Sequence, residues 1–326
     1  MIDLSTEYMG LKLKNPIIAA SSGQTDTAEK VKKLEESGAA AVVLKSLFEE
    51  QIRMEVDSLG MNNMFNSYSD NENYIAFYTK QNTVNEYLKL IKDSKAAVDI
   101  PVIASINCYS MGEWVEFAQK IEKAGADGIE LNMFILPGDT SLKGETIEQK
   151  YFEIIQNVQK HTSLPIAVKL SSYFSGMGEI LKRMSETQIR GMVLFNRFYN
   201  PDVDLDQEKI KSSRIFSLPE ENSLCIRWIG LLSGKVNCDM AASTGIHDGY
   251  AALKNILVGA RAVQVASTLY QNKVEQIGRM LSEMETWMGK KGYHSIREIT
   301  GKVNYSKHNT ELYERAQFMK YFSSYE

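Results

Sequence analysis

Cysteine is scarce in this chain: three residues (Cys108, Cys225, Cys238) in 326, none in a CxxC pair. That excludes a disulfide framework and an iron–sulfur cysteine set, and three buried thiols are expected instead. Proline is also sparse, at 6, and no segment is of low complexity, which excludes collagen-like and disordered classes. The four histidines (His161, His247, His294, His308) are scattered, and no His–Glu spacing matches a zinc motif, so no metal site is expected. No apolar run approaches the roughly 20 residues of a spanning helix; the longest obvious one is Ala39 to Leu44. Neither sign of charge dominates: 37 Lys+Arg against 41 Asp+Glu gives a formal net charge of −4, without the basic excess of a nucleic-acid binder. The opening MIDLSTEYMG has no basic n-region and no apolar h-region, so no secretory signal is expected. These absences predict a soluble cytoplasmic protein with neither nucleic acid nor membrane as partner.

What is present is an alternation. Short apolar runs occur at Pro16–Ala20, Ala41–Leu44, Val102–Ile106, Gly128–Leu131, Pro165–Val168, Met192–Phe195, Cys238–Ala242 and Ala262–Val265. Helical spacing is visible at Thr27–Ser37, Val84–Lys92, Gly112–Ala124, Glu145–His161, Met177–Glu186, Ser223–Leu232, Gly249–Val258 and Val274–Met288. Buried strands alternating with helices mean a parallel sheet covered by helices, the α/β class. Eight such units favour a closed (β/α)8 TIM barrel with inserted loops at the C-terminal face of the strands. The absence of GxGxxG after the first run counts against a dinucleotide fold. We expect a single barrel domain over 1–326 with a C-terminal helical extension. Two stretches break the rhythm: about Glu49–Tyr78, read as a long irregular loop of lid or binding type, and the polar segment Tyr199–Asn222.

Polar residues gather where the apolar runs end: Ser21, Lys45, Asn107, Asn132, Lys169, Asn196, Ser243 with Thr244, and Ser267. In a barrel these ends converge on one face, where active sites sit. Lys169 follows Ile166-Ala167-Val168, so its stem starts in apolar surroundings. Such a lysine either stays cationic beside an anion or loses its proton and forms a Schiff base, and both readings stay open at this point. Ser243-Thr244-Gly245 and Ala266-Ser267 follow the seventh and eighth runs, and small residues there let backbone N–H groups approach a phosphate.

The pieces NPIIAASSG, AAAVVLKS, GIELNM, IAVKLSSYF, STGI with HDGYAALKNILVGARAVQVASTLY, and KGYHSIREITGKV resemble, in order and over nearly the whole chain, the FMN-containing dihydroorotate dehydrogenases of the soluble class 1 branch. The resemblance implies a barrel holding FMN at its mouth, with hydride passing to flavin N5 as dihydroorotate becomes orotate, a step of pyrimidine biosynthesis. It implies Lys169 at the N1/O2 edge of the ring, where a cation favours the anionic reduced flavin. Ala20, Ser21, Lys45, Ser46, Asn107 and Asn132 would contact the flavin or its ribityl chain. Ser243, Thr244, Gly245, Ala266 and Ser267 would hold the phosphate. Lys45, Asn132 and Asn196 would bind a small anionic ring substrate. A soluble electron acceptor and a homodimer are also implied.

Four features depart from the family pattern: the base position, Arg197, the substrate-loop region Asn62–Tyr68, which replaces an NSMGLPN-like segment, and the lack of a Gly-rich phosphate turn around Asn222–Trp228. Where the family carries a Cys or Ser base shortly after the strand-four Asn, this chain reads Asn132-Met133-Phe134-Ile135, placing a hydrocarbon at the base position. A general base is worth about 10²–10⁴-fold, so dihydroorotate turnover should be slow unless another group substitutes. The candidates are Cys108, at the end of the third run and our choice beside Lys45 and Lys169 as a catalytic residue, and Tyr68 or Tyr74 from the long loop. Arg197 stands where the family has a small hydroxyl residue, either gripping a substrate carboxylate bidentately or lying on the loop surface. His247, just before a helix start, is expected to cap it. Two rivals remain: a Schiff-base lyase of aldolase type using Lys169, and a non-catalytic flavin-binding protein.

Overall fold

The computed structural model describes residues 2–48, 69–107, 111–197, 200–308 and 313, with the backbone alone at 48, 69–82 and 111. A two-stranded hairpin comes first, β1 (Thr6–Tyr8) and β2 (Leu11–Leu13). The barrel strands are β3 (Ile17–Ala19), β4 (Ala41–Val43), β6 (Val102–Asn107), β7 (Gly128–Asn132), β8 (Ile166–Leu170), β9 (Gly191–Leu194), β12 (Asp239–Ser243) and β13 (Ala262–Val265). Each pairs in parallel with its neighbours in that order, β13 returns to β3, and the eight strands close. A short β5 (Leu47–Phe48) continues β4 along the edge of β6. The remaining two strands, β10 (Pro201–Asp204) and β11 (Lys209–Ser212), form an exposed antiparallel hairpin.

The helices are α1 (Ala28–Glu36), α2 (Ser69–Ala97), α3 (Met111–Ala124), α4 (Gly144–Gln159), α5 (Met177–Glu186), α6 (Asn222–Leu232), α7 (Gly249–Val258), α8 (Ser267–Asn272), α9 (Gln276–Lys291) and α10 (Tyr305–His308). Local chemistry sets their ends. Thr27 caps α1 by accepting from Lys30 N at 3.3 Å, and Gly38, at φ +105°, lets the chain turn out of it. The apolar stripe of α1, Val31 and Leu34, is fully buried against the strands.

The fold is therefore the eight-stranded barrel that the alternation predicts. Two readings need correction. Residues 69–78, expected to be part of an irregular loop, are helical, because α2 begins at Ser69; the rest of that stretch, including Tyr68, lies outside the described residues. The polar segment 199–222 carries the β10–β11 hairpin, whose alternation is too polar to signal a strand because both its faces meet solvent.

Side-chain parity along the strands sorts the core into two clusters. Ile17, Val42, Val102, Val168 and Met192 pack outward under the helices, whereas Ile18, Val43, Ile103, Ala167 and Val193 pack inside the barrel. The β1–β2 hairpin closes the bottom with Tyr8 and Met9, Met9 N donating to Asp239 Oδ2 at 3.0 Å. Glycine is required at the start of β9, since a Cβ on Gly191 would lie 2.8 Å from the Tyr8 hydroxyl. Following the inward parity upward from this apolar floor leads to Ser105, Glu130, Lys169 and Gln264, all buried, and then to Asn107, Asn132 and Ser243 at the mouth.

Candidate functional site

At the C-terminal end of the strands lies a bowl of about 490 Å³, within the range of small-molecule pockets. Its floor is Lys169. The ammonium donates to Gln264 Oε1 at 3.0 Å and stands 3.8 Å from Glu130 Oε1, while Gln264 Nε2 donates to Glu130 Oε2. All three side chains sit on inward positions of neighbouring or facing strands, which is why an acid, an amide and a cation meet in the barrel interior. Sequence reasoning placed Lys169 here and missed Glu130 and Gln264. The signal was available: both fall on the inward parity of GIELN and AVQV, where a polar residue among apolar ones demands a partner.

One wall is the turn after β12. Thr244 and Gly245 have φ of +85° and +74°, and a Cβ on Gly245 would lie 2.4 Å from Asn222 N, so only glycine fits there. Thr244, although non-glycine in the left-handed region, is tied down by its hydroxyl donating to Phe195 O at 3.0 Å. Ser243 O accepts from Phe195 N at 3.2 Å and from the Cys225 thiol at 2.8 Å. Burial, opposed by backbone hydrogen bonds, pushes that thiol up to about 11. Across the bowl, Ala20 N donates to Val265 O, and Ala266 and Ser267 complete the wall. Ser267 Oγ accepts from Ser217 N at 3.1 Å, which fixes the returning polar segment against the rim. Ser217 Oγ meets His247 Nε2 at 3.1 Å. The helix cap is Asp248, whose Oδ1 accepts from Ala251 N at 2.7 Å; His247 does not cap α7, because its ring is turned to Ser217.

The bowl thus brings together Ala20, Ser21, Lys169, Asn196, Arg197, Ser243, Thr244, Gly245, Ala266 and Ser267. Lys45, Ser46, Asn107 and Asn132 do not line it, but two of them bond to residues that do. Ser46 Oγ lies 3.0 Å from Ser21 Oγ and 2.7 Å from Ser105 Oγ, and Asn196 Nδ2 donates to Asn132 Oδ1 at 2.6 Å. Asn107 ends β6 half-buried, and Lys45 is exposed, its backbone N donating to Thr25 O. Arg197 is committed to the protein itself: Nε donates to Glu221 Oε2 at 2.8 Å and Nη1 to the carbonyls of Arg214 and Ile215. It clamps the end of the β10–β11 segment over the bowl, where Phe216 and Tyr270 face each other at 5.6 Å. Ile135 lies off the bowl, half-buried against the core, with its backbone N donating to Tyr151 OH at 2.9 Å. Cys108 lies outside the described residues, as does the side chain of Tyr74. Among the described residues no group of three His, Cys, Asp or Glu side chains converges as a metal site, and no helix is long and apolar enough to cross a membrane.

A buried ammonium below, hydroxyls of Ser21, Ser243 and Ser267 at the rim, and a mixed polar and apolar wall suit a flat, anionic or electron-rich ligand with a polar tail. The family model for dihydroorotate dehydrogenase matches residues 3–288. The catalytic subunit of dihydroorotate dehydrogenase B (NAD(+)) from Thermoplasma volcanium is 26% identical over 316 residues, covering 92% of this chain and 98% of that protein. The proteins of the same name from Thermoplasma acidophilum and Methanocaldococcus jannaschii are 25% and 24% identical, each over more than nine-tenths of both chains.

Proposed function

The chain belongs to the dihydroorotate dehydrogenase family, a family of oxidoreductases, and from that premise we propose that the bowl holds FMN and that the protein passes a hydride between it and a small anionic ring substrate. The residues fit the group. The observation that carries the reading is Lys169: a buried cation on the floor of a bowl of about 490 Å³, held by two neighbours and facing the space a flavin ring would fill. When bound, FMN supplies the hydride-accepting centre. The protein's own residues do the rest. Lys169 would stabilise negative charge on a bound group, by the same electrostatics as an oxyanion hole. Gly245 allows the turn after β12 to close on Asn222, and Ser243, Thr244, Ala266 and Ser267 supply the wall for a phosphate. Asn196, which lines the bowl and is held by its bond to Asn132, would meet a ring substrate. Electrons leave to a soluble acceptor, and the working form is a cytoplasmic homodimer; sedimentation at the mass of one chain would reject the dimer.

Ile135 sets this chain apart from a fully equipped dihydroorotate oxidiser. A hydrocarbon side chain takes up no proton, and its backbone N–H is already bonded to Tyr151. Dihydroorotate turnover is therefore expected to be about 10²–10⁴-fold below that of an enzyme with the base in place. The Schiff-base reading is not favoured, because such chemistry needs a neutral amine, whereas Lys169 is salt-bridged to a buried carboxylate. The test is direct. The purified protein should show flavin absorption bands that bleach with dithionite, and denaturation should release FMN. Borohydride in the presence of phosphorylated carbonyl compounds should leave Lys169 unmodified. A colourless protein that takes up no FMN, or a borohydride-trapped adduct at Lys169, would overturn the proposal.

A further inference from the structure

Glu130 is the least expected group in the barrel. It is 1% exposed, its inward position lies above the apolar floor of the barrel, and it does not line the bowl. One carboxylate oxygen is accounted for, since Oε2 accepts from Gln264 Nε2. The other, Oε1, has no hydrogen-bond partner and faces the Lys169 ammonium at 3.8 Å. Holding Gln264 in place needs only one acceptor, which an amide would supply, so the second oxygen is not explained by packing. Buried charges are costly to keep, and in low dielectric their fields reach far. The field of Glu130 is felt on both sides: the phenols of Tyr8 and Tyr87 are each pushed above the usual tyrosine range, first by burial and also by the Glu130 charge.

We infer that Glu130 sets the redox potential of the group held in the bowl by offsetting the charge of Lys169, so that the floor presents an ion pair instead of a bare cation. Glu130 does not reach the bowl; it acts through Lys169 as a positioning and charge-balancing residue, with Gln264 holding both in line. A bare cation under the ring would favour its reduced, anionic form more strongly, and Glu130 holds that preference down. The inference rests on the flavin reading above.

The experiment uses the FMN-loaded protein and its Glu130→Gln variant, which keeps an acceptor for Gln264 and removes the charge. The midpoint potential, measured by dye equilibration at pH 6.5, should shift upward. Sulfite, which adds to an electron-poor flavin, should bind about tenfold more tightly. Lys169→Met should move both readings the other way. The double variant Glu130→Gln with Lys169→Met leaves neither charge and should return close to the unmodified protein, and it serves also if Glu130→Gln alone fails to fold. Loosened packing would not give opposite signs that cancel. A potential and sulfite affinity unchanged or lowered by Glu130→Gln, or a double variant no closer to the parent than Lys169→Met, overturns the inference alone. Failure of the unmodified protein to take up FMN overturns the flavin reading and this inference together.

Discussion

Around the barrel mouth, the turns after β12 and β13 are pinned from several sides, whereas the segment after β7 runs exposed from Leu136 to Thr146. Thr244 is tied to Phe195, Gly245 is wedged against Asn222, Ser267 is bonded to Ser217, and Asp248 caps the helix that follows. After β7, the ties include Asn132 to Asn196, Met133 N to Lys169 O, Phe134 beside Tyr173 and the backbone of Ile135 to Tyr151, all before the exposed stretch begins. A pinned wall suits a ligand of fixed shape, such as a cofactor, while an open segment tolerates change in what is bound there. Of the departures from the family pattern, Ile135 stands half-buried just before the open segment, and Arg197 lines the bowl itself. The difference is one of anchoring: hydrogen bonds and close packing hold the turns after β12 and β13, whereas residues 136–146 lie exposed.

The largest expected effect lies on the floor shared by both sides. Lys169→Ala should slow reduction of bound flavin by about 10²–10³-fold, the usual worth of one preorganised electrostatic contact, while leaving the turn after β12 able to hold the phosphate. Anaerobic stopped-flow traces together with the flavin content of the purified variant check both halves. Loss of flavin without a rate effect would mean that the floor belongs to the pinned wall only. The next largest effect tests the entry to the open side. Ile135→Cys supplies a proton acceptor where the family has one, and dye-coupled turnover of dihydroorotate should rise by about 10²-fold. No gain would show that this segment has been rebuilt for a different ring and not merely stripped of its base.

On the pinned side the effect is on stability. Gly245→Ala places a Cβ 2.4 Å from Asn222 N at a φ of +74° and should cost about 2 kcal/mol, read by urea unfolding, with weaker FMN binding. The same substitution at Gly138, on the open segment, meets only the Leu136 side chain at 3.9 Å and should be nearly silent. Equal costs at the two positions would remove the contrast between the walls.

The two sides also differ in how far they could be read from the residues. The barrel was legible because short continuous apolar runs, such as the one holding Ile17, Ile18 and Ala19, alternate with amphipathic helices such as the one burying Val31 and Leu34. Lys169 and the Ser243–Gly245 turn were legible because they end such runs. Glu130 and Gln264 were not singled out; their polar character on inward positions was readable, but which partner each meets, 134 positions away, is set only by the fold. The role of Arg197 was also unreadable: its two alternatives, a carboxylate grip or a surface position, omit the carbonyls of Arg214 and Ile215 that the fold delivers to it. The β10–β11 hairpin escaped because its alternation, Val203 and Ile210 between charged residues, is too short and too polar when both faces meet solvent.

The smallest effect separates a local pin from a global one. Asp248 caps α7 by accepting from Ala251 N at 2.7 Å, and the next residue, Gly249, donates its N–H to Glu283 on α9. Asp248→Ala removes one acceptor from the helix N-terminus and should cost about 1 kcal/mol, whereas Asp248→Asn, an equally good cap, should cost much less. Chemical denaturation measures both. Because Gly249 keeps its bond to Glu283, Thr244 its bond to Phe195 and Gly245 its packing on Asn222, FMN affinity should be unchanged in either variant. If Asp248→Ala loosened FMN as much as Gly245→Ala does, the turn after β12 would owe its shape to the helix behind it, and the pinned wall would be a single cooperative unit instead of a set of independent contacts.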